Sequence, residues 1–323
     1  MCENLPNIWT HFIFGEEVLK DADLKSLVTR PDDLRMFRMG CQGPDFLFYH
    51  HFLPWQKDKT MNDVGSAMHN EHCGPVIMDL IEGVANRELQ DPAVIYVLGF
   101  ALHHVLDRNM HPYVFYRSGF KKWDHQRFEI WMDTLVVQNK LGLETWRTPV
   151  WKEFETGGKF PDGIVDLFEQ VTQRYYPELA KRVRREAWEE ANRHMTAAQR
   201  LFHDPTGLKR LLTFGQIEPF VFKRPHKPLD ILNESREPWR DPTGRDASYT
   251  TSVWDMWAAA REDAAAVVGA AAAYWAAVRE HGAASAAAAQ AKERLAIVVA
   301  NRSYEHGEPC DSGLRIMVAD PII

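Results

Sequence analysis

The chain has 323 residues, 45% of them hydrophobic and 26% charged, with a formal net charge of -7 at pH 7. That is the make-up of a soluble globular protein with a sizeable core, and it lacks the clustered Lys and Arg with which nucleic-acid binders neutralise phosphates. Nucleic acid is therefore not expected as a stable partner, and no stretch approaches the roughly 20 apolar residues of a bilayer span.

At the N-terminus, "MCENLPNIWTHFIFGEEVLK" has no basic segment, and Glu16 and Glu17 cut its apolar run short, so no signal peptide is expected. Cys2, Cys41, Cys73 and Cys310 include no CxxC pair, which points away from a disulfide framework or a cysteine zinc ribbon. Both observations predict a cytoplasmic protein.

Amphipathic helix patterns occupy roughly 14–28, 62–86, 92–110, 124–140, 162–174 and 177–202, and strand-like alternation is scarce. Between about 204 and 250 six prolines interrupt any period, the texture of an ordered wrap or a lid. An Ala-rich helix then runs from the N-cap candidate Ser252 to Gly282, and a second follows over about 283–300, together a helical hairpin. The fold class is all-α: a single domain over 1–323, with a metal-binding catalytic part (1–203), the irregular wrap (204–250), and the hairpin with its tail (251–323). Glu305, His306, Glu308, Cys310 and Asp311 in that tail read as solvated polar residues.

The chemistry concentrates in "ALHHVLDRNMHPYVF". Asp91 and Pro92 open its helix, and Pro112 is expected to end it near His111. His103 and Asp107 are i and i+4 on one face, with His111 four further on, a spacing at which two side chains can hold one metal ion. His104 is rotated about 100° away from that face. The next helix repeats the device: in "WDHQRFEIWMD", with Asp124 as N-cap candidate, His125, Glu129 and Asp133 are spaced by four. A lone His–carboxylate pair is more often a satisfied polar contact than a ligand set; two neighbouring helices with the same spacing favour metal. His11, Asp45 and His69 lie upstream, each with an ordinary reading when taken singly.

In this order, His, Asp, His, HxxxDxxxH and HxxxE, the residues resemble the zinc-dependent phospholipase C family, whose superfamily includes the S1/P1-type nucleases. The resemblance covers roughly residues 5–140 and is most specific in "GFALHHVLDRNMHPYVFY" and "HQRFEIWMD". It implies an all-helical fold around two or three Zn²⁺ ions: one on Asp45, His69, His103 and Asp107; a second on His11, bridged by Asp107; a third on His111, His125 and Glu129. Imidazole and carboxylate ligands suit zinc without any cysteine. In secreted members the mature N-terminal tryptophan completes the site of the first His, whereas here eight residues precede Trp9.

The expected activity is that of a phosphoric ester hydrolase. Zinc-bound hydroxide would attack a phosphodiester in line, with Asp45 as catalytic base, on a phospholipid or a soluble phosphoester. Asp133, Asp124 and His104 are candidates to hydrogen-bond ligand imidazoles. Phe46, Phe48, Tyr49, His50 and Trp55 are candidates to line a cleft, with core packing the simpler reading. The competing reading is a non-catalytic helical metal-binding or scaffold protein. HD-type phosphohydrolases and ferritin-like di-iron bundles fit the spacings less well.

Overall fold

Apolar residues recurring at three- and four-residue spacing form helices along nearly the whole chain. The structure, a computed structural model, describes residues 8–225 and 228–323. Its helices in chain order are α1 (Trp9–Asp21), α2 (Pro31–Gly40), α3 (Thr60–Asn70), α4 (Cys73–Gly83), α5 (Pro92–Ser118), α6 (Asp124–Leu141), α7 (Trp151–Phe154), α8 (Ile164–Tyr175), α9 (Pro177–Ala180), α10 (Glu186–Phe202), α11 (Leu208–Leu212), α12 (Val253–His281) and α13 (Ala286–Val299). A 3-10 turn, Gly43–Tyr49, links α2 to α3, and a two-residue antiparallel ladder pairs β1 (Trp239–Arg240) with β2 (Ser248–Tyr249). The all-α expectation holds. Cys2 and the rest of the N-terminal stretch read for a signal peptide up to Asn7 lie outside the described residues.

Helix α5 is the axis of the fold. Asp91 caps it, accepting from the Ala93 N–H at 2.8 Å, and it is buried over most of its length, as an all-round apolar helix must be. It packs against α1, α2, α6 and α12. Its approach to α2 depends on two glycines: a Cβ on Gly40 would meet the Tyr96 carbonyl at 2.2 Å, and one on Gly99 the Phe37 carbonyl at 2.6 Å. This close crossing sets the chain just after α2 against His103 of α5.

Four local expectations are corrected. Helix α5 does not end before Pro112 but runs on to Ser118. Pro112 gives the Arg108 carbonyl no amide donor, yet the backbone of Gly307 packs against that carbonyl, and the Arg108 guanidinium donates to the carbonyls of Val298 and Val299. Burial of Tyr113, Val114 and Tyr116 then favours the extra turns. The segment 62–86 is two helices parted at His72, whose φ is +54°, and 177–202 is likewise divided into α9 and α10. The first helix begins at Trp9 rather than 14, with residues 25–28 a separate 3-10 turn.

The C-terminal helices follow their caps closely. Ser252 and Asp255 form a reciprocal capping box at the start of α12, and Gly282 ends the helix with φ +85°. The α12–α13 pair packs together, and α12 is fastened to α1 by Trp257 Nε1 donating to Glu17 at 2.9 Å and by the Arg261–Asp21 ion pair at 2.5 Å. The tail departs from the solvated reading: Ser303 and Tyr304 are fully buried, and His306 is nearly so.

Candidate metal centre

All eight ligand candidates converge. Helix α5 presents His103, Asp107 and His111 on one stripe, and α6 presents His125 and Glu129. His11 comes from the first turn of α1, Asp45 from the Gly43–Tyr49 turn, and His69 from the last turn of α3. Seven of the eight are buried; His111, with 12% of its side chain exposed, is the one nearest solvent.

Carboxylates and imidazoles alternate in one unbroken chain. Asp45 Oδ1 is 2.9 Å from His69 Nε2 and Asp45 Oδ2 is 3.5 Å from His103 Nε2. Asp107 Oδ2 is 3.0 Å from His103 Nε2, while its Oδ1 is 3.3 Å from His11 Nε2 and 3.5 Å from His111 Nε2. Glu129 Oε1 is 3.4 Å from His111 Nε2 and 3.1 Å from His125 Nε2. Three triads follow, each with its ligand atoms within 4.8 Å of one another: Asp45–His69–His103, His11–His103–Asp107 and His111–His125–Glu129.

The tautomers identify what these atoms face. Nδ1 of His69 lies 2.7 Å from the Gly65 carbonyl, that of His103 3.0 Å from the Cys41 carbonyl, and that of His111 3.1 Å from the Tyr304 carbonyl. A carbonyl only accepts, so each of these Nδ1 atoms carries a proton, and Nε2 is the nitrogen turned toward the carboxylates. Nitrogen and carboxylate oxygen then face each other at about 3 Å, an arrangement in which a metal cation can take the place of an Nε2 proton. His103 Nε2, Asp107 Oδ2 and Glu129 Oε2 are buried without any hydrogen-bond partner. Two ligand atoms about 2.0–2.1 Å from a tetrahedral zinc stand about 3.3 Å apart, and the separations here run from 2.9 to 3.5 Å. The donor set fits zinc.

Charge reinforces the fit. Burial lowers the His11 pKa to about 3, helped by the adjacent His103. Burial also acts to lower His111, but Asp107 and Glu129 overcome it and raise that imidazole to about 10. Burial opposes ionisation of Glu129, yet His125 and His111 hold its carboxyl down at about 2, and Asp107 is likewise held well below the usual carboxylate range by His111, His103 and His11.

Several residues are placed differently from the sequence reading. His104 stays out of the cluster, as its helix angle requires, and its Nε2–H donates to the Arg302 carbonyl at 2.8 Å. Among the described residues Asp133 bonds no imidazole: it accepts from the backbone N–H of Ile8, Trp9 and Thr10 and from the Thr10 hydroxyl, anchoring the start of α1. The Trp9 amide is therefore committed to Asp133. Burial pushes the Asp133 pKa up to about 7 against the pull of those donors. Asp124 accepts from the Lys121 amide and is the first residue of α6, whose N-cap is Trp123. Of the proposed cleft aromatics, Phe46 packs on Phe160 and Phe168, Tyr49 is buried, and Trp55 is 72% exposed; Phe48 brings its ring to 5.1 Å from His69.

Sequence reasoning missed Tyr304. Its amide donates to the His69 carbonyl at 2.9 Å, its carbonyl receives His111 Nδ1, and its ring lies 4.7 Å from that of His69 and 4.5 Å from that of His104. No local pattern marks it. Gly43 was missed as well: its φ is +50°, and a Cβ there would lie 2.2 Å from the His103 ring.

Comparison with known proteins adds one finding. The family model described as zinc dependent phospholipase C matches residues 10–192, more than half of the chain and further than the 5–140 span legible by eye. No curated protein and no solved structure matches. Among the described residues, no helix is long and apolar enough to cross a membrane.

Proposed function

This chain belongs to the zinc-dependent phospholipase C family, and from that premise we propose that it hydrolyses a phosphodiester at the buried cluster of His11, Asp45, His69, His103, Asp107, His111, His125 and Glu129. The observation that carries the reading is the alternation of three carboxylates and five imidazoles at 2.9–3.5 Å, with the unpartnered His103 Nε2 and Asp107 Oδ2 at its centre. Three carboxylates offset part of the charge of two or three divalent cations, and Asp107, facing three imidazoles, is the residue best placed to join two of them.

In this reading Asp45, His69, His103 and Asp107 would hold one zinc, His11 would hold a second that shares Asp107, and His111, His125 and Glu129 would hold a third. Bound zinc supplies Lewis acidity, lowering the pKa of water to about 7 and offsetting charge that develops on phosphate oxygens. The chain's own residues orient and shield. Backbone carbonyls of Gly65, Cys41 and Tyr304 fix the rings of His69, His103 and His111, as ligand imidazoles require. Asp45 Oδ2, the looser of its two oxygens, takes the proton of the attacking water. Substrate enters beside His111, where Phe115 packs on His125 with ring centroids 4.5 Å apart. The remaining division of labour, a metal-binding part over 1–203 with the wrap 204–250 and the hairpin 251–323 behind it, is part of the same proposal.

The experiment is hydrolysis of bis(p-nitrophenyl) phosphate and of phosphatidylcholine vesicles by the purified protein, with and without a chelator and zinc. Turnover that is abolished by chelation, restored by Zn²⁺, and lost in His103→Ala and Glu129→Ala supports the enzyme. A folded, zinc-loaded protein without turnover on either diester supports the competing non-catalytic reading.

A further inference from the structure

A second convergence of imidazoles lies where the Gly43–Tyr49 turn ends, apart from the eight-residue cluster. The rings of His50 and His51 stack at 3.9 Å, and His194 of α10 sits 5.5 and 5.6 Å from them. Glu190, one turn before His194, brings Oε2 to 3.4 Å from His50 Nε2. The ligand atoms of His50, His51 and Glu190 lie within 4.8 Å of one another.

Three independent details give these residues a ligand's posture. His51 Nδ1 faces the Asp58 carbonyl at 3.2 Å; because that oxygen only accepts, the proton sits on Nδ1 and Nε2 is left as a lone pair. His50 is 1% exposed, and its Nε2 meets Glu190 Oε2 at 3.4 Å, longer than an ordinary N–H···O hydrogen bond. The His51 backbone is left-handed, φ +53°, a conformation that costs a non-glycine residue about 1 kcal/mol. That strain points its amide at His194 Nδ1, 3.1 Å away. Since His194 accepts through Nδ1, its proton resides on Nε2, so it acts as a positioning residue for His51 rather than as a ligand. Arg184 shares Glu190 Oε2 at 3.0 Å and leaves Oε1 free.

We propose that His50, His51 and Glu190 form a separate transition-metal site that staples the end of the Gly43–Tyr49 turn to α10. Two imidazoles and one carboxylate are the ligand set of zinc and similar borderline ions, with room for water as a fourth ligand; oxygen-seeking Ca²⁺ and Mg²⁺ have no preference for it. The proposal needs nothing from the catalytic reading of the larger cluster.

The test counts zinc ions per full-length chain by native mass spectrometry after chelator stripping and titration with Zn²⁺ alone. The His51→Ala, Glu190→Gln double variant is expected to bind one ion fewer than the wild type and to lose part of the zinc-induced rise in Tm. This difference of one is read whether the larger cluster holds three ions, two or none. If the double variant does not fold, Glu190→Gln alone is used, at a half-buried position, and the affinity for the last ion is expected to fall about tenfold or more. A folded variant with the same number of ions and the same affinities as the wild type overturns the proposal.

Discussion

His103 Nε2 and Asp107 Oδ2 stand 3.0 Å apart on successive turns of α5, and neither has a partner in hydrogen-bond geometry. Both atoms are fully buried, where an unmade polar contact costs about 1–3 kcal/mol, more for a charged group. One cation held by both would satisfy the two atoms at once.

Gly43 is the tightest constraint on that arrangement. Gly43→Ala would push a methyl group into the His103 ring, at a φ of +50° that already disfavours a side chain. The expected outcome is a folded protein that has lost zinc affinity by about tenfold or more, the range seen when a ligand's support is disturbed. Circular dichroism and competition with a zinc chelator check this; unchanged affinity would show that His103 is not a ligand.

Tyr304 ties the C-terminal segment to two proposed ligands, His69 and His111. Deleting 301–323 removes the acceptor that fixes the His111 tautomer. Zinc affinity should fall about 10–100-fold, whereas Tyr304→Phe, which keeps the backbone contacts and the buried ring, should leave it close to wild type. Equal losses in the two variants would place the effect in the hydroxyl instead.

Zinc uptake should release protons. Without metal, His111 is held at about 10 by Asp107 and Glu129, so at pH 7.5 it is an imidazolium that must give up its Nε2 proton to bind. Calorimetric titration in buffers of different ionisation enthalpy is expected to show at least one proton released per chain; no dependence on the buffer would contradict the assignment.

His104 predicts an acid-sensitive fold. Burial, then Arg108, lowers its pKa to about 3, while in the unfolded chain it sits near the ordinary 6.5. The unfolded state therefore binds the extra proton first. The contribution is complete above about pH 6.5 and is lost as pH falls towards 3, at up to about 1.4 kcal/mol per pH unit. Urea unfolding of the chelated protein from pH 7.5 to 5 should show the wild type losing its advantage over His104→Gln; a constant difference would mean that His104 is not buried neutral.

What could be read from the sequence depended on how local the cause was. The His–carboxylate stripes of α5 and α6 were visible because a four-residue spacing is itself geometry on a helix, and the capping box at Ser252 and Asp255 was visible for the same reason. His11, Asp45 and His69 come from three further elements, and only the family pattern joined them to the stripes. Tyr304, Gly43 and the anchoring of α1 by Asp133 were invisible, since each depends on contacts between residues far apart in the chain. Pro112 misled because the local rule is sound; tertiary contacts to the Arg108 carbonyl and burial of the following turns outweighed it.

The most direct test of the metal centre is the zinc count of Asp107→Ala. Asp107 faces His103, His11 and His111 at 3.0–3.5 Å, so its removal should lower the number of bound zinc ions by at least two relative to the wild type, whereas Glu129→Gln should remove one. Loss of a single ion, or of none, from a folded Asp107→Ala protein would contradict a carboxylate bridge at the centre of the cluster.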